Sequence, residues 1–419
     1  MNHAHKSWEP PMLLLFFLFG LGVWNRAGVC FLLLVAASFV LWKVRFSPSE
    51  VLLLAFSLSY FVADMCDCGL SLRSCMLYLI GPWAAYRLGR CYALEAGSPR
   101  SFEALLAAPS LGMALHGLLN WLACLLWQGE TLPGRTAVDI WRGAPVSVTC
   151  TGMLLTAAAA LSLGVLAAPG PRGTKWAARI CLAACLGESV YFANRTLPLL
   201  CILLLAARAL GWLLHPGISG GKKLRRCCLF GFAACLLILI LQADFWGLRH
   251  RLAALPLFLR LQHQETGLSR PEIWLSFFRD GRWLRFPLGG NRLTQDLPFS
   301  WFHNLWLDLY NQGGLLPFLL FSLFTLRELR HSSEFFLHKK AEQWERASIL
   351  AAHLLPALWL NAMVEPVMEA NVYVFLSMLL FLGAMRGYAL RSPQELTPFG
   401  REQSTGPSSL LPGKEAPQL

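Results

Sequence analysis

Charge is what this sequence has least of. Charged side chains make up 14% of the 419 residues, against about 25% in an ordinary soluble protein. Acidic groups are the scarcer kind: 24 Asp and Glu face 36 Lys and Arg, a formal net charge of +12. So large a shortage excludes a typical water-soluble globular chain. The basic balance does not by itself call for nucleic acid. In a membrane protein it is first explained by topogenic charge, and it suits anionic head groups or phosphorylated substrates. Also missing are a phosphate loop, a zinc-binding spacing, a nucleophile elbow and a dinucleotide fingerprint. The opening MNHAHKSWEPP carries one Lys, and no small-residue cleavage pattern follows MLLLFFLFGLGVW. The first apolar run is therefore expected to be retained as a span rather than removed as a signal peptide.

What the sequence does have is apolar length. Hydrophobic residues make up 56% of the chain, and they recur in runs near the ~20 residues needed to cross a bilayer. Twelve spans are read, at about 11–25, 28–42, 50–66, 72–88, 102–127, 147–168, 175–192, 196–214, 226–245, 304–326, 346–364 and 370–388. The runs are too long and too uniformly apolar for barrel strands, so the expected fold is all-α, a polytopic membrane helical bundle. Spans one to nine occupy 1–245, a large loop 246–303, spans ten to twelve 304–390, and a tail 391–419. The tail is rich in Pro, Ser, Gly and Gln and is expected to be disordered.

With the N-terminus cytoplasmic, twenty-three Lys and Arg fall on the cytoplasmic side and five in the short outer loops. That bias puts both termini in the cytoplasm. The loop 246–303 then lies outside, with eight arginines and no lysine. A connection of this length in a compact bundle is usually functional. Two stretches in it, RHRLAALPLFLRLQHQ and SRPEIWLSFFRDGRWLRF, read as short amphipathic helices. In the second, Ile273, Trp274, Phe277 and Phe278 form an apolar face, with Glu272, Arg279 and Arg282 mainly off it. Ser269-x-x-Glu272 is a capping-box pattern that starts this helix at Arg270.

The polar residues worth singling out lie mostly on that outer side. His303 opens span ten in SWFHNLWLDLYNQGGLLPF, where an imidazole suits a general base. Asn304 and Asp308, four apart, are expected on one helix face as orienting groups. Arg270 sits in the first turn of a capped helix, where free N–H groups and a guanidinium favour an anion, the plainer reading being an exposed loop arginine. Arg195 stands at a tight outer turn, an expensive place for a charge; Glu188, seven residues earlier on the same helix face, is a candidate partner. Glu365 and Glu369 flank the turn between the last two spans and read as solvated carboxylates, or as groups balancing the arginines or contacting a sugar. His116 and Asn120 read as a packing hydrogen bond. Most of the thirteen cysteines lie within apolar runs as packing residues. Cys66, Cys68 and Cys75 cluster near a loop, where a disulfide fits better than a metal site without His.

The succession NRTLPLL, SRPEIWLSFF, PLGGN and HNLWLDLYNQGGLLPF resembles the O-antigen ligase and O-antigen polymerase superfamily of bacterial envelopes. That family shows an (S)R after a span, an R-x-x-x-W segment in a large periplasmic loop, a Gly-containing turn, and HN-x-x-L with a Gly-rich continuation. The motifs cover about 195–318. Asn194 stands where Ser is common, and Pro317 where Gly is usual. The resemblance implies a multi-pass glycosyltransferase of the inner membrane with a periplasmic active site. Arg195 and Arg270 would bind the undecaprenyl diphosphate of a glycan donor, and His303 would activate a hydroxyl of the lipid A core. Transfer would invert the sugar and need no metal or other cofactor. Asn304, Asp308, Glu188, Arg279 and Arg282 are the candidate substrate-binding residues. Partners would be donor, acceptor and membrane lipids, with no nucleic acid. A repeat-unit polymerase on the same carrier would use the same three residues. A transporter for a lipid-linked or anionic solute is the alternative of another class; it predicts midplane polar residues and two related halves, neither of which is evident.

Overall fold

The computed structural model of the protein describes residues 8–23, 46–96, 98–128, 136–214, 219–244, 247–262, 269–338 and 342–390. Span two, at 28–42, and the tail from 391 lie outside these residues. The protein is all-α, and six helices among the described residues are long and apolar enough to cross a membrane. These are α2 (Pro48–Cys68), α4 (Pro99–Gln128), α5 (Val148–Ala167), α7 (Thr196–Leu214), α15 (Glu342–Val364) and α17 (Val372–Leu390). Other helices overlap the remaining apolar runs among the described residues: α1 (Glu9–Leu21), α3 (Gly81–Ala96), which takes in only the second half of the run at 72–88, α6 (Arg172–Tyr191), α8 (Gly220–Gln242), and the pair α13 (Leu305–Gly313) and α14 (Leu315–His338). They are shorter or carry more charge.

The apolar pattern explains which helix goes where. In α5 the run TAAAALSLG leaves no polar stripe, and residues Thr151–Gly164 are buried on all sides. It is the central post of the bundle. In α7 and α8 apolar side chains instead face outward, among them Ile202, Leu214, Leu229 and Phe232, a surface suited to lipid rather than water. Small residues let neighbouring backbones touch. A Cβ on Gly89 of α3 would lie 1.9 Å from the Leu380 carbonyl oxygen of α17, and one on Gly383 would lie 1.9 Å from that of Tyr86. Gly20 of α1 and Gly112 of α4 make the same kind of approach, each 2.2 Å from the other helix's carbonyl.

α2 begins with a capping box, Glu50 Oε2 accepting from the Ser47 N–H and Ser47 Oγ from the Glu50 N–H. It runs between two polar ends. Near its start Glu50 meets Arg87 and Arg90. Near its finish Asp64 accepts from the Gln312 amide and Asp67 from that of Asn291. Between α4 and α5 a hairpin of β1 (Thr136–Val138) and β2 (Pro145–Ser147) pairs antiparallel, Thr136 opposite Ser147. Its residues are too few to stand out by alternation.

The loop before α13 departs from expectation in two ways. The first amphipathic stretch is two short helices, α9 (Leu248–Ala253) and α10 (Pro256–Gln262), because Pro256 opens a new helix better than it continues one. The second is α11 (Arg270–Phe278) followed by α12 (Arg282–Arg285). α11 starts where the capping box predicts, with Glu272 Oε2 accepting from the Ser269 N–H at 2.7 Å and its hydroxyl at 2.8 Å. Only part of its predicted apolar face is covered. Ile273 and Phe277 are buried against Leu293, Phe302 and Tyr310, while Phe278, at the helix end, is 57% exposed. Cys66, Cys68 and Cys75 are all unbridged.

Candidate functional site

The stretch around His303 is not the first turn of one long helix. Gly314, at φ 83°, breaks it into α13 and α14. Pro317, in the first turn of α14, fits where a missing N–H costs nothing. His303 stands one residue before the cap of α13. Asn304 is the N-cap, its Oδ1 accepting from the N–H groups of Trp306 and Leu307 at 3.2 and 3.3 Å. Asn304 and Asp308 are neighbours one turn apart, but not as free orienting groups on an open helix face. Instead the buried Asp308 carboxylate reaches back past the cap. It accepts from the Phe302 N–H at 2.6 Å and from the Asn304 N–H at 3.1 Å, bracketing His303 on both sides.

That bracket explains an unusual backbone. His303 has φ 54°, the left-handed region, at a cost of about 1–2 kcal/mol for a non-glycine residue. Such a conformation persists where neighbours over-determine it, and it is commonest at functional sites. Further tethers come from the Trp274 indole, which donates to the Phe302 carbonyl at 3.0 Å, and the Asn304 amide, which donates to that of Met363 at 3.1 Å.

The side chain so aimed faces Glu365, at the end of α15. His303 Nδ1 lies 3.6 Å from Glu365 Oε2, and an Arg270 guanidinium nitrogen lies 3.4 Å from the same oxygen. The other oxygen, Oε1, accepts from the Thr196 hydroxyl at 2.8 Å. Glu365 is thus no solvated turn carboxylate: its side chain is 4% exposed, against 37% for Arg270 and 25% for His303. A buried carboxylate thus has two more exposed partners, Arg270 and His303.

Thr196 brings the turn that carries Arg195 to the same place. Ala193 takes φ 54°, and the Asn194 and Ser189 groups exchange hydrogen bonds, Asn194 N–H to the Ser189 carbonyl and the Ser189 hydroxyl to the Asn194 carbonyl. Asn194 Oδ1 accepts from the Leu197 N–H at 3.1 Å, capping α7 as Ser would. Gly152 of α5 makes room, since a Cβ there would come within 1.7 Å of the Asn194 amide nitrogen. From above, Arg260 of α10 donates to the Ala193 carbonyl at 2.6 Å. Arg195 itself is exposed at this turn.

The remaining candidates fall elsewhere. Glu188 is fully buried, with neither carboxylate oxygen hydrogen-bonded among the described residues. It packs against α4, its Oε1 3.2 Å from where a Cβ on Gly117 would be, so the expected hydrogen-bonded pair with Arg195 does not form. Arg282 pairs with Asp296 at 3.0 Å and braces the loop, and Arg279 is exposed. Glu369 accepts from the hydroxyls of Tyr60 and Tyr78. His116 and Asn120 do not bond to one another: Asn120 Oδ1 accepts from the Ile140 N–H at 2.9 Å, and both His116 nitrogens lack a hydrogen-bond partner among the described residues.

Sequence reasoning underrated Glu365 and passed over Thr196. Their only signals were a net-negative outer turn and adjacency to Arg195. The arrangement offers an imidazole beside a buried carboxylate, with guanidinium groups at the rim. It can take a proton from a hydroxyl and balance an anion. The chain matches no protein-family model, and no characterised protein matches it.

Proposed function

We propose that the protein is a multi-pass glycosyltransferase of the O-antigen ligase type in the bacterial inner membrane. It moves a glycan from undecaprenyl diphosphate to a hydroxyl of the lipid A core. The observation that carries this reading is the convergence of His303 and Arg270 on Glu365, with Thr196 bringing the Arg195 turn alongside. In this reading the bundle has twelve spans, and a helix over each of the eleven that fall among the described residues supports the count. Both termini are cytoplasmic, and the Glu365 end faces the periplasm.

The chemistry follows from the groups present. Arg195 and Arg270 bind the diphosphate, a use to which the planar guanidinium fork is suited. The acceptor hydroxyl gives its proton to His303 as its oxygen bonds to the sugar carbon and the sugar–phosphate bond breaks. Glu365, beside Nδ1, stabilises the imidazolium so formed. The arginines balance the charge gathering on the departing lipid diphosphate.

Purified protein in detergent, given lipid-linked glycan and lipid A core, tests the proposal. Glycan-bearing lipid A core is the expected product. Arg195→Ala, Arg270→Ala and His303→Ala should yield folded protein that makes little of it. Normal transfer by all three variants would remove the assignment. Donor glycan lengthened with no use of the core would make the enzyme a polymerase, and no conversion at all would favour a transporter.

A further inference from the structure

A cavity of about 600 Å³ opens next to the cluster just described, within the range of ~300–1,000 Å³ usual for small-molecule sites. The two share α16 (Val367–Ala370). Glu365 stands just before this short helix, while Met368, Glu369 and the following Asn371 line the cavity. The opposite wall comes from α4, the hairpin and α5.

Its polar lining is short of partners. Among the described residues, both ring nitrogens of His116, the Thr151 hydroxyl and Oδ1 of Asn371 have no hydrogen bond. These three residues are 5%, 1% and 7% exposed, and all three border the cavity. His116 Nε2 does lie 3.4 Å from Asp139 Oδ2, as an ion pair without a hydrogen bond. Buried polar atoms are normally paired, so several orphans around one space mark where a ligand's polar groups can be paired.

The chemistry of the lining narrows that ligand. The orphaned groups are neutral or weakly basic and mix acceptors with groups that both donate and accept. Two carboxylates, Asp139 and Glu369, face the space against one guanidinium, Arg142, which disfavours an anion. Tyr78 and Tyr373 add aromatic surface. Hydroxyl groups, which donate and accept at once, answer such a set.

We propose that this cavity binds the uncharged, polyhydroxylated part of a substrate, a sugar unit of the acceptor or donor glycan, through His116, Thr151 and Asn371. The choice of a sugar rests on the glycan-transfer reading above; the existence of the site does not. A diphosphate held by the exposed arginines and a sugar held here would lie on either side of α16.

The test uses the full chain in detergent and isothermal titration with two probes. One is core oligosaccharide freed of lipid A, and the other is donor oligosaccharide freed of its diphosphate. One of them should bind, and which one does assigns the cavity to acceptor or donor. Thr151→Val and Asn371→Ala should each weaken binding about tenfold, the scale of one hydrogen bond. Val146→Trp, which adds bulk at the cavity wall without removing a polar group, should abolish binding, and Arg270→Ala should leave it unchanged. Absence of binding by both probes, or wild-type binding by the three cavity variants, overturns the proposal. If these losses appear while the purified enzyme transfers no glycan, the cavity stands and only the transfer reading fails.

Discussion

Two carboxylates in this molecule each sit between two basic groups, and they have opposite characters. At one end Glu50 is clamped by Arg87 at 3.0 Å and Arg90 at 2.8 Å, with all three side chains at most 8% exposed. Around them Arg327 donates to Ser49 and Tyr86 to Glu328. At the other end Glu365 is equally buried, but Arg270 and His303 stand at 3.4 and 3.6 Å and remain partly exposed. A short pair with every side chain buried presents no exposed group to a ligand. The longer pair leaves Arg270 and His303 partly exposed. The first arrangement fastens helices together, and the second gathers groups from three separate segments at a partly open position.

The largest effect should come from breaking the closed cluster. Glu50→Ala leaves two guanidiniums buried without their carboxylate and should destabilise the protein by about 3–5 kcal/mol, read as a lower unfolding midpoint in detergent. If Glu365→Ala costs as much stability, the contrast between the ends disappears. His303→Ala should do the reverse. Glycan transfer falls by about 10²–10⁴-fold, the usual contribution of a general base, while the unfolding midpoint holds. A fall in the midpoint matching that of Glu50→Ala would make His303 a structural residue.

Glu365→Gln sharpens the comparison further. The amide keeps an acceptor for Thr196 but removes the charge beside the imidazole. A drop of about tenfold in kcat with little change in KM is expected, because the lost interaction belongs to the transition state. A change in KM alone would instead make Glu365 a binding group. The smallest effect concerns α11, which carries Arg270. Hydrogen bonds from the Ser269 N–H and hydroxyl hold the Glu272 carboxyl below its ordinary range. Its folded pKa lies under the unfolded value of about 4.3. The cap's contribution is therefore present above that value and lost as pH falls through the folded pKa. Glu272→Ala should remove this acid sensitivity from amide exchange in α11 while changing transfer at neutral pH by less than about twofold.

Several features were legible in the amino-acid sequence alone. Apolar runs near bilayer length mark helices because a backbone in lipid has few other ways to satisfy its hydrogen bonds, and six of the expected runs coincide with helices long and apolar enough to cross a membrane. The Ser269–Glu272 box located the start of α11 to the residue, since capping depends only on near neighbours. The site was legible in part. His303 and Arg270 were marked by residue type and position, yet nothing local says that they meet at Glu365. Glu188 makes no hydrogen bond to Arg195, because helical spacing fixes a side chain's face but not which neighbour occupies that face. Glu188 turned to α4.

The sequence by itself determined the all-α architecture, the apolar helices and the local caps, all of which depend on contacts a few residues apart. Only the tertiary structure decided the left-handed turn at His303, since its bracket by Asp308 needs α13 to start one residue later than the apolar pattern suggests. It alone decided that Glu365, Thr196 and Arg270 meet, across separations of up to 169 residues. The same is true of the cavity whose orphaned polar atoms lie on α4, α5 and the segment after α16. Long-range meetings are fixed by how helices pack, through close approaches such as those at Gly89, Gly383 and Gly152. No periodicity in a single helix records its neighbour.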